Sequence, residues 1–205
     1  MEKTDASFIP QKGNYRDLIA YKKAECIYDI TYYFAHKFFE KGDRTIDQMV
    51  QAARSGKQNI VEGSAASTTS SETELKLINV ARASVQELLI DYEDYLRVRN
   101  LERWDIKSEK AQKTRRYCTT HNRSADYRKA IALRSDETIA NIAITLIHQE
   151  DVFLRKLIDR LKSDFLQQGG IREQMSRARI AYRKKNDPKA QPDSNQSKEN
   201  SANQT

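Results

Sequence analysis

Between residues 48 and 96, two strongly helical stretches, QAARSGKQNIVEGS and ETELKLINVARASVQELL, carry alanine, glycine and serine at helical spacing. Small side chains three and four residues apart lie on one face of a helix and let two backbones approach closely, so these helices are built to press against partners. Six glycines and three prolines punctuate the whole 205-residue chain, which favours a few long helices over many short strands. That length buries one good core, with room for appendages.

Periodicity places four long helices. Asn14 is set to cap the first, with Asp17 in its opening turn, and that helix reaches about residue 39. It carries two apolar stripes, one through Tyr28, Tyr32 and Phe39 and one through Ile27, Ile30, Phe34 and Phe38. Gly42 and Asp43 make the break before a second helix over 44–64, which Gly63 and the following Ser/Thr run should end. Ser71 and Glu74 read as a capping box opening a third helix to about residue 100. Leu77, Ala81, Ser84, Leu88 and Tyr95 form one stripe of it; Leu75, Ile78, Val85, Leu89 and Tyr92 form another. A helix with two apolar stripes suits a bundle interior on one side and a neighbouring subunit on the other, so self-association is expected. Ser135, Asp136 and Glu137 start a fourth helix, apolar at Ile139, Ile142, Ala143, Leu146, Phe153, Leu157, Leu161 and Phe165, up to Gly169-Gly170.

The Ala52-Ala53 pair, Ser55, the Asn59-Ile60-x-Glu62-Gly63 string, then Ala81, Ser84, Glu87 and Leu88 resemble the four helix bundle protein family. That family includes proteins encoded in intervening sequences of bacterial large-subunit ribosomal RNA genes, and it is similar to the accessory variability protein of diversity-generating retroelements. The resemblance covers residues 15–96 and a later helix. The chain departs from it at Gln51, where the family usually has arginine, at Lys57, where it has proline, and at Ala83, where it has glycine. What the resemblance implies is an oligomeric helical bundle, often pentameric, that binds nucleic acid, with Asn59, Glu62, Gly63, Ala81, Ser84 and Glu87 as its structural and oligomer motif.

The expected fold is therefore all-α: an antiparallel up-down four-helix bundle over 14–170, with a basic insertion over 101–134 between helices 3 and 4. A short basic C-terminal helix over 171–185 follows. Residues 1–13 are expected to be flexible and 186–205, polar and nearly free of apolar side chains, to be disordered. The opening MEKTDASF lacks a signal pattern, and the most apolar run, 139–147, is too short for a membrane and contains Asn141. Cys26 and Cys118 give no disulfide framework, so a cytoplasmic location with no membrane contact is expected.

The net charge of +7 is unevenly spread. Residues 107–129 carry eight basic and two acidic side chains, and 171–185 carry six basic and one acidic. Residues 1–106 carry 15 basic and 17 acidic. An anionic partner is the simplest reason for two concentrated basic segments. In the first, Arg115, Arg116, Arg123 and Arg128 accompany Trp104, Tyr117, His121 and Tyr127. Cations neutralise phosphates and rings stack on unpaired bases. In the second, Arg172, Arg179 and Arg183 fall near one helical face and Ile171, Met175, Ala178 and Tyr182 near another, with Lys184 beyond. Such a helix suits RNA, a membrane surface or an acidic protein groove, or it folds back on the bundle's own acids. The contact residues expected for nucleic acid are Trp104, Arg115, Arg116, Tyr117, Arg123, Arg128, Arg179, Arg183 and Lys184, with RNA as the expected form.

Catalytic and metal patterns are weak by comparison. None of His36, His121 and His148 follows a glutamate by three residues, as a carboxylate-bridged di-metal bundle requires. Cys118 and His121 have ligand spacing but no second pair. Glu87, Asp91 and Asp94 share one helical face that suits a hard cation, solvent, or a dock for the basic C-terminal helix. Asn59 and Glu62 read as a buried polar network between helices or subunits, or as a ligand site. No Gly-x-Ser-x-Gly and no phosphate-cradling glycine loop is present. The expectation is a non-enzymatic binding protein without a cofactor. A protein-interaction scaffold, or an accessory subunit for a nucleic-acid enzyme such as a reverse transcriptase, is the competing class.

Overall fold

Side-chain caps set most of the helix starts in the computed structural model, which describes residues 14–186. Asn14 accepts a hydrogen bond from Arg16 N, and this turn is a short 3-10 helix over Tyr15–Asp17. Helix α1 (Ile19–Phe38) starts only after Leu18, which makes no side-chain cap, so Asn14 caps the short turn and not the first long helix. Helix α2 (Arg44–Ala66) starts at Asp43, whose side chain accepts from Thr45 N. Helix α3 (Ser71–Val98) is capped by Ser70, which accepts from Thr73 N; the cap is thus one residue before the expected Ser71. Beyond it come α4 (Glu109–Thr120), α5 (Ser124–Ala132), α6 (Asp136–Gln168) and α7 (Ile171–Lys185). No strand occurs among the described residues, and none of their helices is long and apolar enough to cross a membrane. The stretches expected to be flexible over 1–13 and disordered over 186–205 lie, except for Asn186, outside the described residues.

Four helices enclose the core. Helix α1 packs on α2 and α6, α3 packs on the same two, and α4 and α5 lie outside against α6 and α1. Cys26, Ile27, Phe34, Met49, Ile60, Leu88, Tyr92, Ile139 and Leu154 fill the interior. Both apolar stripes of α3 are consumed here: Ala81, Ser84, Leu88 and Tyr95 are buried, and so are Ile78, Val85, Leu89 and Tyr92. The second stripe therefore does not require a neighbouring subunit, because α3 sits between α2 and α6 within one chain.

Gly63 lies inside α2 rather than ending it. It is buried where α3 comes close, and a Cβ there would stand 3.1 Å from Ile78 Cδ1. Gly56, two turns earlier, faces Val85 Cγ2 at 2.8 Å from where its Cβ would be. Beside them Ser55 Oγ and Ser84 Oγ are hydrogen-bonded at 2.9 Å, and Asn59 Nδ2 donates to Ser55 O and Ser55 Oγ. Asn59 thus joins a polar seam between α2 and α3, as a network reading requires. Glu62 does not, since its position faces solvent, and Glu87 is exposed too. At the far end, Phe165 is 42% exposed and lies outside the core in which its spacing placed it.

Candidate functional site

The connection from α3 to α4 is folded back onto α6 by one side chain. Asn100, with φ 53, turns the chain out of α3. Asn141, buried within the apolar run of α6, then donates to Glu102 O and Glu137 O and accepts from Trp104 N at 2.9 Å. About two turns further along α6, Gln149 Nε2 donates to Arg115 O and Thr119 Oγ1, which seats α4. Between these two clamps opens a cleft of about 730 Å³, lined by Trp104, Arg115, His148, Phe153, Arg103 and Arg155 among others.

Its charges are not equivalent. Arg103 is paired with Glu93 at 2.8 Å and Arg155 with Asp151 at 2.9 Å, while Asp151 also holds Arg82. The Arg115 guanidinium has no acidic partner among the described residues, nor do the Lys113 ammonium and the Arg116 guanidinium, both exposed on α4. Desolvation, and then the charge of Arg103, lowers the His148 pKa, so this imidazole is neutral at pH 7. Trp104 Nε1 and Gln149 Oε1 are buried without hydrogen-bond partners, a donor and an acceptor left over at the cleft wall.

The structure brings Trp104 and Arg115 together and separates the other expected contacts. Tyr117 is stacked on His121, with ring centroids 3.8 Å apart, and its hydroxyl donates to Asp126 O, so one face and the polar end are already engaged. Tyr127 is buried and donates to His121 O. Arg123 pairs loosely with Asp126 at 3.5 Å, and Arg128 reaches Asp29 at 3.4 Å beside a smaller α1–α5 cavity of about 430 Å³. Arg179, Arg183 and Lys184 stand exposed on α7, which begins roughly 30 Å along α6 from Gln149. The two basic segments are therefore two features rather than one surface.

A second cluster was not legible as a site. Lys23 Nζ donates to the Cys118 carbonyl inside the protein, while Cys26, Cys118 and Tyr127 pack close by. Glu150 is fully buried nearby with both carboxylate oxygens unpartnered. Burial lowers the Lys23 pKa and pushes Glu150 up to about 8. Among the described residues, no group of three His, Cys, Asp or Glu side chains is placed to hold a metal ion, and both cysteines are free.

The residues that shape the cleft, Asn141, Gln149, His148 and Phe153, were missed as site residues. Asn141 gave the one usable signal, as an amide in the most apolar run of the chain. No family model, no curated protein and no solved structure matches this chain.

Proposed function

We propose that this is a non-enzymatic, self-associating protein, built on an antiparallel up-down four-helix bundle, that binds nucleic acid through the face formed by α4 and the α3–α4 connection. The resemblance to the four helix bundle protein family belongs to the same reading. The observation that carries it is the Arg115 guanidinium, without an acidic partner, in one cleft with the Trp104 ring; Lys113 and Arg116 are exposed elsewhere on the same helix.

Cations without local acids are free to neutralise phosphates, and that contact releases counterions. Trp104 and Phe153 offer ring faces for an unstacked base, and the leftover Trp104 Nε1 and Gln149 Oε1 match the donors and acceptors of a base edge once the wall adjusts. An unpaired base enters such a cleft, whereas a duplex reaches only its rim. Single-stranded or loop RNA is therefore the favoured form, with phosphate contacts supplying most of the affinity.

The test is fluorescence anisotropy with single-stranded RNA, single-stranded DNA and duplex RNA across a salt series. Binding should weaken linearly in log–log form with salt. Arg115→Ala with Arg116→Ala should weaken it about tenfold or more and flatten the salt slope by roughly two phosphate contacts. Unchanged affinity in that double variant, or binding insensitive to salt, removes the proposal.

A further inference from the structure

Two helices present solvent-facing seams of opposite charge and matching pitch. On α3, Val80, Ala83, Glu87, Ile90 and Asp94 recur at alternating steps of three and four residues, which sets them on one stripe. All five are exposed, Val80 at 47% and Ile90 at 58%. Asp91 on the flank is raised to about 6 by desolvation and by its neighbours Glu87 and Asp94, the signature of crowded acids. Asp94 shares its charge with Arg97 at 2.7 Å, whereas Glu87 and Asp91 have no ion pair among the described residues.

On α7, Arg172, Met175, Arg179 and Tyr182 follow the same three-four spacing, with both arginines exposed, Met175 at 53% and Tyr182 at 71%. The α3 seam carries acids at Glu87 and Asp94 among apolar side chains, and the α7 seam alternates base with apolar. The α7 seam from Arg172 to Tyr182 is about 15 Å long and lies within the span of the α3 stripe, about 21 Å, and the Arg172–Arg179 separation equals that of Glu87–Asp94, two turns in each. Within its own chain α7 has no interface comparable to those of the packed helices. Gly169, at φ 73, breaks α6, and the Glu173 and Arg177 side chains occupy the space where a Cβ at Gly169 would sit. That contact holds the start of α7; the seam residues are exposed, with Arg172 near enough to Glu72 at the start of its own α3 for their charges to interact.

We propose that α7 of one copy docks along the Val80–Asp94 stripe of α3 in a second copy, either reciprocally in a pair or handed around a closed ring. Each copy then gives one helix and receives one, so both seams are covered throughout the assembly. The charges fix the register and exclude like seams from pairing, while Met175, Tyr182, Val80 and Ile90 supply the apolar burial. This rests on the self-association part of the function proposed above and is independent of its nucleic-acid part.

The test is the light-scattering mass of nuclease-treated full-length protein during size exclusion, with circular dichroism to verify folding. The wild-type chain should elute at a multiple of 23.8 kDa. Glu87→Lys with Asp94→Lys should fall to the single-chain mass, and so should Arg172→Glu with Arg179→Glu. An equimolar mixture of the two folded variants should assemble again, as a pair or an even-membered alternating ring, because the lysine-bearing α3 then meets the glutamate-bearing α7 and the wild-type seams meet each other. Wild-type protein at the single-chain mass, variants that keep the assembly, or a mixture that stays monomeric overturns the proposal. Salt-dependent RNA binding by a monomeric wild-type protein would retain the nucleic-acid reading while removing this one.

Discussion

Glu150 sits on the inward stripe of α6, in step with Ala143, Ile147, Leu154 and Ile158, and its burial makes ionisation costly. Desolvation is the larger cause of its pKa near 8; Asp151 adds to it and Lys23 opposes it. In the unfolded chain this carboxyl titrates near 4.5. Between these values the folded state holds a proton that the unfolded state has released, so stability from this group is full below pH 4.5 and lost as pH rises toward 8. Glu150→Gln keeps the shape and removes the titration. Urea unfolding at pH 5, 6.5 and 8 should show the variant gaining on wild type as pH rises, by on the order of 3 kcal/mol at pH 8. Curves that remain parallel across that range would contradict this account. Helical phase alone puts position 150 between Leu146 and Phe153 of the α6 stripe, but it does not give the depth of Glu150, because phase says which way a side chain points and not how much protein lies in front of it.

The contact of α2 with α3 shows what an element-level pattern can and cannot specify. Small residues at helical spacing announce close approach, but they do not say which glycine tolerates a methyl group. At Gly56 a new Cβ would meet a methyl of Val85 at 2.8 Å, on a β-branched side chain with little rotamer freedom. At Gly63 it would meet the Cδ1 end of Ile78 at 3.1 Å, which can swing aside. Alanine gains about 1 kcal/mol over glycine from helix propensity, against about 1–3 kcal/mol for overpacking where neighbours cannot move. Gly56→Ala should therefore lower stability by about 1 kcal/mol, while Gly63→Ala should be neutral or stabilising, by thermal and urea unfolding. Equal effects at both sites would mean that close approach is not what keeps these glycines. The two apolar stripes of α3 are read the same way: a stripe reports that a surface is covered, and here α2 and α6 of the same chain do the covering.

At the scale of the whole molecule, the basic charge divides into two features at opposite stretches of α6, and each has its own consequence. Arg115→Ala with Arg116→Ala should lose RNA affinity while keeping the assembly mass. Arg172→Glu with Arg179→Glu should lose the assembly while each chain keeps its α4 cleft, so the remaining loss, about tenfold or more, is of avidity alone. Paired measurement of mass and anisotropy on both variants checks this, and a single variant that abolishes both would merge the two features. The all-helical class, the starts of α2 and α6, a polar role for Asn59 and the location of the basic segments followed from the sequence, because caps, periodicity and charge are local properties of the chain. Which helix covers which stripe, the retreat of Tyr117 onto His121, the folding of Trp104 onto Asn141 and the burial of Lys23 beside Glu150 were decided only by the tertiary structure. Each of these depends on residues tens of positions apart meeting across the bundle, and no local pattern records which distant side chain will occupy the facing space.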